Sequence, residues 1–180
     1  DFGTFAGAVA DYAEVLGEQG LAEYRRLADA QWNKLPADPG RTRTAADDFG
    51  SVHQLKAILD FFAERDGDVE ARIALRAKDL SSPWDYLQLA EFCLSQDRSE
   101  EALRHAEEGL WLFEDRRTDE RLLFFAVKLL TKARRKAEAE AHLWRAFRKE
   151  PSLDVYKQLR STGGKPAGER AVAFLESRPA

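Results

Sequence analysis

The sequence predicts an all-α architecture, and three observations carry that prediction. Val and Ile are scarce while Ala, Leu, Glu and Arg dominate, which favours helix on intrinsic propensity. No stretch sustains the alternation of β-branched and polar residues that a half-buried strand requires. The breaks between apolar-periodic segments fall at Gly, Pro and Asp/Ser clusters, the usual punctuation of helix ends.

Read in order, these signals predict ten helices. The first runs from Phe2 to Leu16 and stops at Gly17; the second covers Leu21 to Lys34 and ends before Pro36. Residues 36–46, with two prolines and a glycine, form the best loop in the N-terminal half. A third helix spans Asp47 to Arg65, Asp66-Gly67-Asp68 turns the chain, and a fourth covers Val69 to Lys78. Ser82 caps a fifth helix with Pro83 at its first position, where the missing N–H costs nothing; it ends near Ser95. The sixth runs from Ser99 to Phe113, and Glu114 to Arg117 form a charged connection. Thr118 or Asp119 caps the seventh, which ends near Ala133, and Ala137 to Lys149 form the eighth. Ser152 caps a ninth to Arg160, Gly163-Gly164-Lys165-Pro166 breaks the chain, and a tenth covers Glu169 to Glu176.

Helices joined by short turns pack as antiparallel pairs, and these pairs repeat a pattern. Ala90, Leu89 and Tyr86 precede Ala102 by 12, 13 and 16 residues, and Ala106 and Gly109 follow it by 4 and 7. Around Ala139, Val127, Leu143, Ala146 and Pro151 stand at −12, +4, +7 and +12; around Ala71, Leu59, Leu75 and Pro83 stand at −12, +4 and +12. Two helices approach closely only where small side chains occupy the crossing, so Ala71, Ala102 and Ala139 are the expected crossing points. Their spacings of 31 and 37 residues bracket the tetratricopeptide unit of about 34. The predicted fold is a right-handed α-α superhelix, a tetratricopeptide-like solenoid of about five antiparallel helix pairs, in a single domain over 1–180.

The runs from Leu80-Ser81-Ser82-Pro83 to Tyr86-Leu87, EEALRHAEEGL, DERLLFF and EPSLDVYKQL, with the opening FGTFAGAVADYAEVLGEQGLAEYRRLA, resemble the C-terminal helical region of bacterial SWIM-type zinc-finger proteins and related bacterial proteins. The resemblance covers nearly the whole chain. It implies the helical fold and a longer parent protein whose zinc module, built from cysteines and a histidine, lies upstream. A chain without methionine is likewise expected to be part of a longer one. The resemblance carries no metal site into these residues.

Cys93, the one cysteine, can form neither an internal disulfide nor an all-thiolate zinc site; it is expected as a buried small hydrophobe, and a chain free of disulfides fits the cytoplasm. No apolar run is long enough to span a bilayer, so no membrane partner is expected. His105 and His142 each follow an anchor alanine by three residues, but successive repeats would hold them too far apart for one ion, and the pattern places no Asp, Glu or Cys at ligand spacing on the same face. No metal or cofactor is therefore expected. Nucleophile elbow, phosphate loop and HExxH are all missing from the text, which points away from an enzyme.

A stacked-pair fold exposes one side of its first helices to a hollow, and such hollows bind peptides or helices. The residues expected there are His53, Lys56, Asp60 and Glu64, then Trp84, Leu87 and Glu91, then Arg121, Phe124, Lys128 and Lys132, with Trp84, Leu87 and Phe124 as apolar anchors; the competing reading places Leu87 and Phe124 in the core. Trp32, Trp111 and Trp144 are expected to pack between units. Charge is asymmetric: residues 1–115 carry 24 acidic and 12 basic side chains, residues 116–180 carry 8 and 16. The basic stretch Arg116–Lys149, with Arg116-Arg117 and Lys132 to Lys136, offers a second reading, association with a nucleic-acid backbone, although it lacks interleaved aromatics. The leading expectation is a non-catalytic scaffold for an unknown protein or peptide.

Overall fold

The computed structural model describes residues 9–35 and 49–177. Residues 2–8 of the expected first helix, the expected loop 36–46 and the start of the expected third helix at Asp47 lie outside the described residues. Among the described residues every regular element is a helix: α1 (Val9–Lys34), α2 (Phe49–Arg65), α3 (Val69–Ala77), α4 (Pro83–Ser95), α5 (Ser99–Leu112), α6 (Glu120–Lys132), α7 (Lys136–Lys149) and α8 (Leu153–Glu176). Two of these are broken by glycine. Gly17 (φ 62°, ψ 177°) interrupts α1 and Gly164 (φ 74°, ψ −165°) interrupts α8, conformations open to glycine and strained for other residues. Among the described residues the eight elements thus contain ten helical segments, divided where the sequence predicts breaks.

The caps follow the sequence closely. Ser82 and Ser152 accept the backbone N–H groups of Asp85 and Val155, and Asp119 accepts those of Arg121 and Leu122, satisfying donors that the first turn of a helix leaves unpaired. The chain divides into two compact units at Ser81/Ser82. In the first, Ile58, Leu59 and Phe62 of α2 join Leu21, Ala28 and Trp32 of α1 and Leu75 of α3 in one core. In the second, α4 packs on α5 and α6, α5 on α6, α6 on α7 and α7 on α8, around Leu89, Leu122, Leu130, Leu143, Phe147 and Leu159, none more than 1% exposed.

Three inter-helix turns are the same turn. The N–H of Asp68, Arg98 and Arg135 donates to the carbonyl five residues back (Ala63, Cys93 and Leu130), and the preceding residue donates to the carbonyl three back. That preceding residue is left-handed in each case: Gly67 at φ 68°, Asp97 at 60° and Arg134 at 64°. The shared geometry fixes the register of the α2/α3, α4/α5 and α6/α7 pairs, with equivalent residues 30 and 37 positions apart.

In that register Ala102 and Ala139, both fully buried, correspond to Arg72 and not to Ala71. The expectation for Ala71 is corrected: it is only partly buried, and the crossing positions of the α2/α3 pair are charged. Where α4/α5 has Ala90, Ala102 and Ala106, α2/α3 has Asp60, Arg72 and Arg76. Arg72 reaches Asp60 at 3.0 and 3.1 Å and Arg76 reaches it at 2.6 and 3.0 Å, so the close approach built from alanines in one pair is built from a bonded cluster in the other. Gly109 allows a second close approach: a Cβ there would stand 2.7 Å from Tyr86 of α4 and 3.0 Å from Leu122 of α6, contacts that no side chain tolerates without displacing buried neighbours.

Candidate functional site

Trp84 and Arg121 occupy the same place in successive pairs, two residues beyond the caps Ser82 and Asp119. Because α4 and α6 pack side by side, the two meet. The Arg121 guanidinium lies over the Trp84 ring, 4.7 Å from its centroid, and the Asp119 carboxylate holds it there with a 2.8 Å bond. That bond, opposed by burial and helped by the N–H groups of Leu122 and Arg121, keeps the Asp119 carboxyl below the ordinary aspartate range. Trp84 remains 46% exposed, so one rigid aromatic is presented to solvent with a fixed cation on it.

One turn further along, Leu87 and Phe124 are equivalent, and two turns along Glu91 and Lys128 are. Phe124 is half-buried; Glu91, Lys128 and Lys132 are exposed. Leu87 is 4% exposed: it belongs to the core and not to a groove, because the α4 face that carries Trp84 turns inward at that position. Lys56, Asp60 and Glu64 also need correction. They stand in register with Tyr86, Ala90 and Leu94, the side of α4 that meets α5, while Asp60 and Glu64 are bonded to Arg72 of α3. Lys56 and Asp60 are half-buried on that side and Glu64 is exposed at its edge; in register with Trp84, Leu87 and Glu91 are Gln54, Ala57 and Phe61. His53 is exposed on α2. Among the tryptophans expected to pack, Trp32 is 8% exposed and Trp144 half-buried, but Trp111 is 67% exposed and packs little.

A concave feature lies between α7 and the last part of α8. A cleft of about 930 Å³ is lined by Arg145, Arg148, Lys149 and Arg170 with Trp144 and Phe174. Arg148 and Arg170 each lie 5.6 Å from the Trp144 ring centroid, and Arg170 also bonds Glu140. The basic stretch was legible in sequence; Arg170, which completes the cleft from another helix, was not. Lys149 also donates to the carbonyls of Glu114 and Arg116, so part of the charge on this stretch holds the α5–α6 connection. No described helix is long and apolar enough to cross a membrane.

A third group lies inside the α4/α5 pair. Cys93 Sγ, a Glu101 carboxylate oxygen and a His105 ring nitrogen all lie within 4.8 Å of one another. The expectation that no carboxylate or thiol stands at ligand spacing beside His105 is therefore corrected: Glu101 is one turn before it on α5, and Cys93 arrives from α4. The Cys93 side chain is fully buried, as expected, and burial pushes its thiol up. Burial also keeps His105 below the ordinary histidine range. This trio is invisible in a one-helix reading because its thiol comes from the partner helix.

No family model matches the chain, and neither a curated protein nor a solved structure matches it.

Proposed function

We propose that this chain is a non-catalytic scaffold that binds a protein or peptide segment, built as a tetratricopeptide-like right-handed superhelix of about five helix pairs. The repeated turn geometry and the recurring caps favour that architecture. The resemblance to SWIM-type zinc-finger proteins favours a place in the C-terminal part of a larger protein. The face formed by α4 and α6 is the binding surface. The observation that carries this reading is Trp84, exposed and held under Arg121 at the mouth of two adjacent first helices. Large aromatics fixed in place bind at low entropic cost and recur as anchors of interfaces. Lys128 and Lys132 on one side and Glu91 on the other give the face a sign, and the complementary ligand carries an apolar side chain for Trp84 and Phe124 beside a carboxylate for Lys128.

The test is a displayed-peptide selection against the protein, followed by affinity measurement on wild type and on the Trp84→Ala, Lys128→Glu double variant. Binding should weaken by about 10-fold or more, the scale on which truncating one anchoring aromatic acts. Equal affinity for the same peptides removes this face from the account.

A second reading has its own observation, the cationic cleft with Trp144 between two arginines. Association with nucleic-acid backbone through Arg116–Lys149 predicts affinity that falls steeply with salt and is lost on reversing Arg145 and Arg148, which line the cleft. Affinity indifferent to salt excludes it.

A further inference from the structure

We propose that Cys93, Glu101 and His105 form a binding site for one thiophilic divalent cation, with zinc the ion that best fits a sulfur, a nitrogen and an oxygen donor.

The donors come from two helices that the fold holds together. Cys93 lies near the end of α4 and is fully buried; Glu101 and His105 are one turn apart on α5, on the same side of that helix. Their ligand atoms fall within 4.8 Å of each other. Around a zinc ion with bonds of about 2.0–2.3 Å, tetrahedral neighbours are closer than that, so a small contraction closes the site without moving a helix.

The imidazole supplies the second, independent observation. Both ring nitrogens of His105 are buried without a hydrogen-bond partner. The nearest carboxylate oxygens, from Glu101 and Glu108, stand 3.9 Å from Nε2 and 3.7 Å from Nδ1, outside bonding reach. Buried nitrogens left this way are costly. A cation on the Glu101 side would satisfy Nε2, and Nδ1 would then donate toward Glu108, the arrangement by which a carboxylate orients a metal-bound histidine.

The repeat provides an internal control. In the α6/α7 pair the same three positions are Leu130, Glu138 and His142. There the thiol is replaced by a hydrocarbon, Glu138 is taken by Arg135 at 2.6 Å, and His142 has Glu107 at 3.2 Å. Only the α4/α5 pair joins a thiol to an imidazole without a partner. Arg98 and Arg104 bond Glu101 at 3.3 and 3.2 Å; one carboxylate oxygen must leave them for the ion, which weakens the site relative to a four-ligand structural centre. On binding, the Cys93 thiol loses its proton to solvent and a sulfur–metal bond forms; neutral His105 and ionised Glu101 bind without a proton change. The fourth position is left to water.

Cobalt(II) titrated into the whole chain in reducing, chelator-free buffer tests this. Cys93 is the only cysteine, so a near-ultraviolet thiolate-to-cobalt charge-transfer band reports this site alone. The expected result is a band saturating at one equivalent and displaced by zinc. Cys93→Ala and Cys93→Ser should abolish it, His105→Ala should weaken it at least 10-fold, and His142→Ala should leave it unchanged, with helical circular dichroism retained throughout. No band in the wild-type protein, or a band that survives Cys93→Ala or is unmoved by His105→Ala, overturns the proposal.

Discussion

Asp60 shows how a charged side chain can take the place of a small one. Burial opposes its ionisation, but the hydrogen bonds and charges of Arg76 and Arg72 together outweigh that and hold its carboxyl below the ordinary aspartate range. A carboxylate with a depressed pKa contributes stability that is present above its unfolded pKa and lost as pH falls through the folded one. The α2/α3 pair should therefore weaken in acid, below the ordinary aspartate range. Asp60→Ala leaves two arginines about 20% exposed without their shared partner and should cost about 2 kcal/mol. The triple change Asp60→Ala, Arg72→Ala, Arg76→Ala restores the small-residue crossing seen at Ala90, Ala102 and Ala106. It should cost less than the single change, since no arginine is then left facing the position of a lost carboxylate. Urea unfolding of the two variants decides; a triple variant weaker than Asp60→Ala contradicts the equivalence of the two crossings. The sequence concealed this because a search for small residues finds Ala71 and passes over Arg72. The better guide was Asp66-Gly67-Asp68, whose glycine marks the left-handed residue and so the register.

At the scale of single elements the sequence was highly legible. Capping residues and breakers are local signals, and Ser82, Asp119, Ser152, Gly17 and Gly164 act where the chain text places them. What the text did not show was which helix face turns inward, since that depends on the partner: Leu87, expected as a groove anchor, is core, and Trp111, expected to pack, faces solvent. The shared turn yields a prediction at this scale. Arg134 adopts φ 64° with no glycine to relieve it, a conformation costing about 1–2 kcal/mol for an L residue, while glycine returns about 0.5–1 kcal/mol of that through its unfolded-state freedom. Arg134 is exposed and has little else to lose. Arg134→Gly should stabilise the protein by about 0.5–1 kcal/mol, read as a raised urea midpoint with unchanged slope. A destabilised variant would show that the turn is not strained.

For the molecule as a whole, the candidate site was legible in part. Trp84, Arg121, Phe124, Glu91 and Lys128 follow from reading one repeat onto the next. Lys56, Asp60 and Glu64 follow only from a register that the shared turn overturns, and the thiol–imidazole group and the α7–α8 cleft each join residues that only folding brings together. The α4–α6 face and the cationic cleft of α7 and α8 lie on different helices, which allows one experiment to separate them. Hydrogen exchange should be measured on the protein alone and saturated with a selected peptide. Binding at the α4–α6 face predicts slowed exchange in 83–95 and 120–132, with the 136–176 region unchanged; protection confined to 136–176 would put the segment in the cationic cleft and contradict binding at α4 and α6.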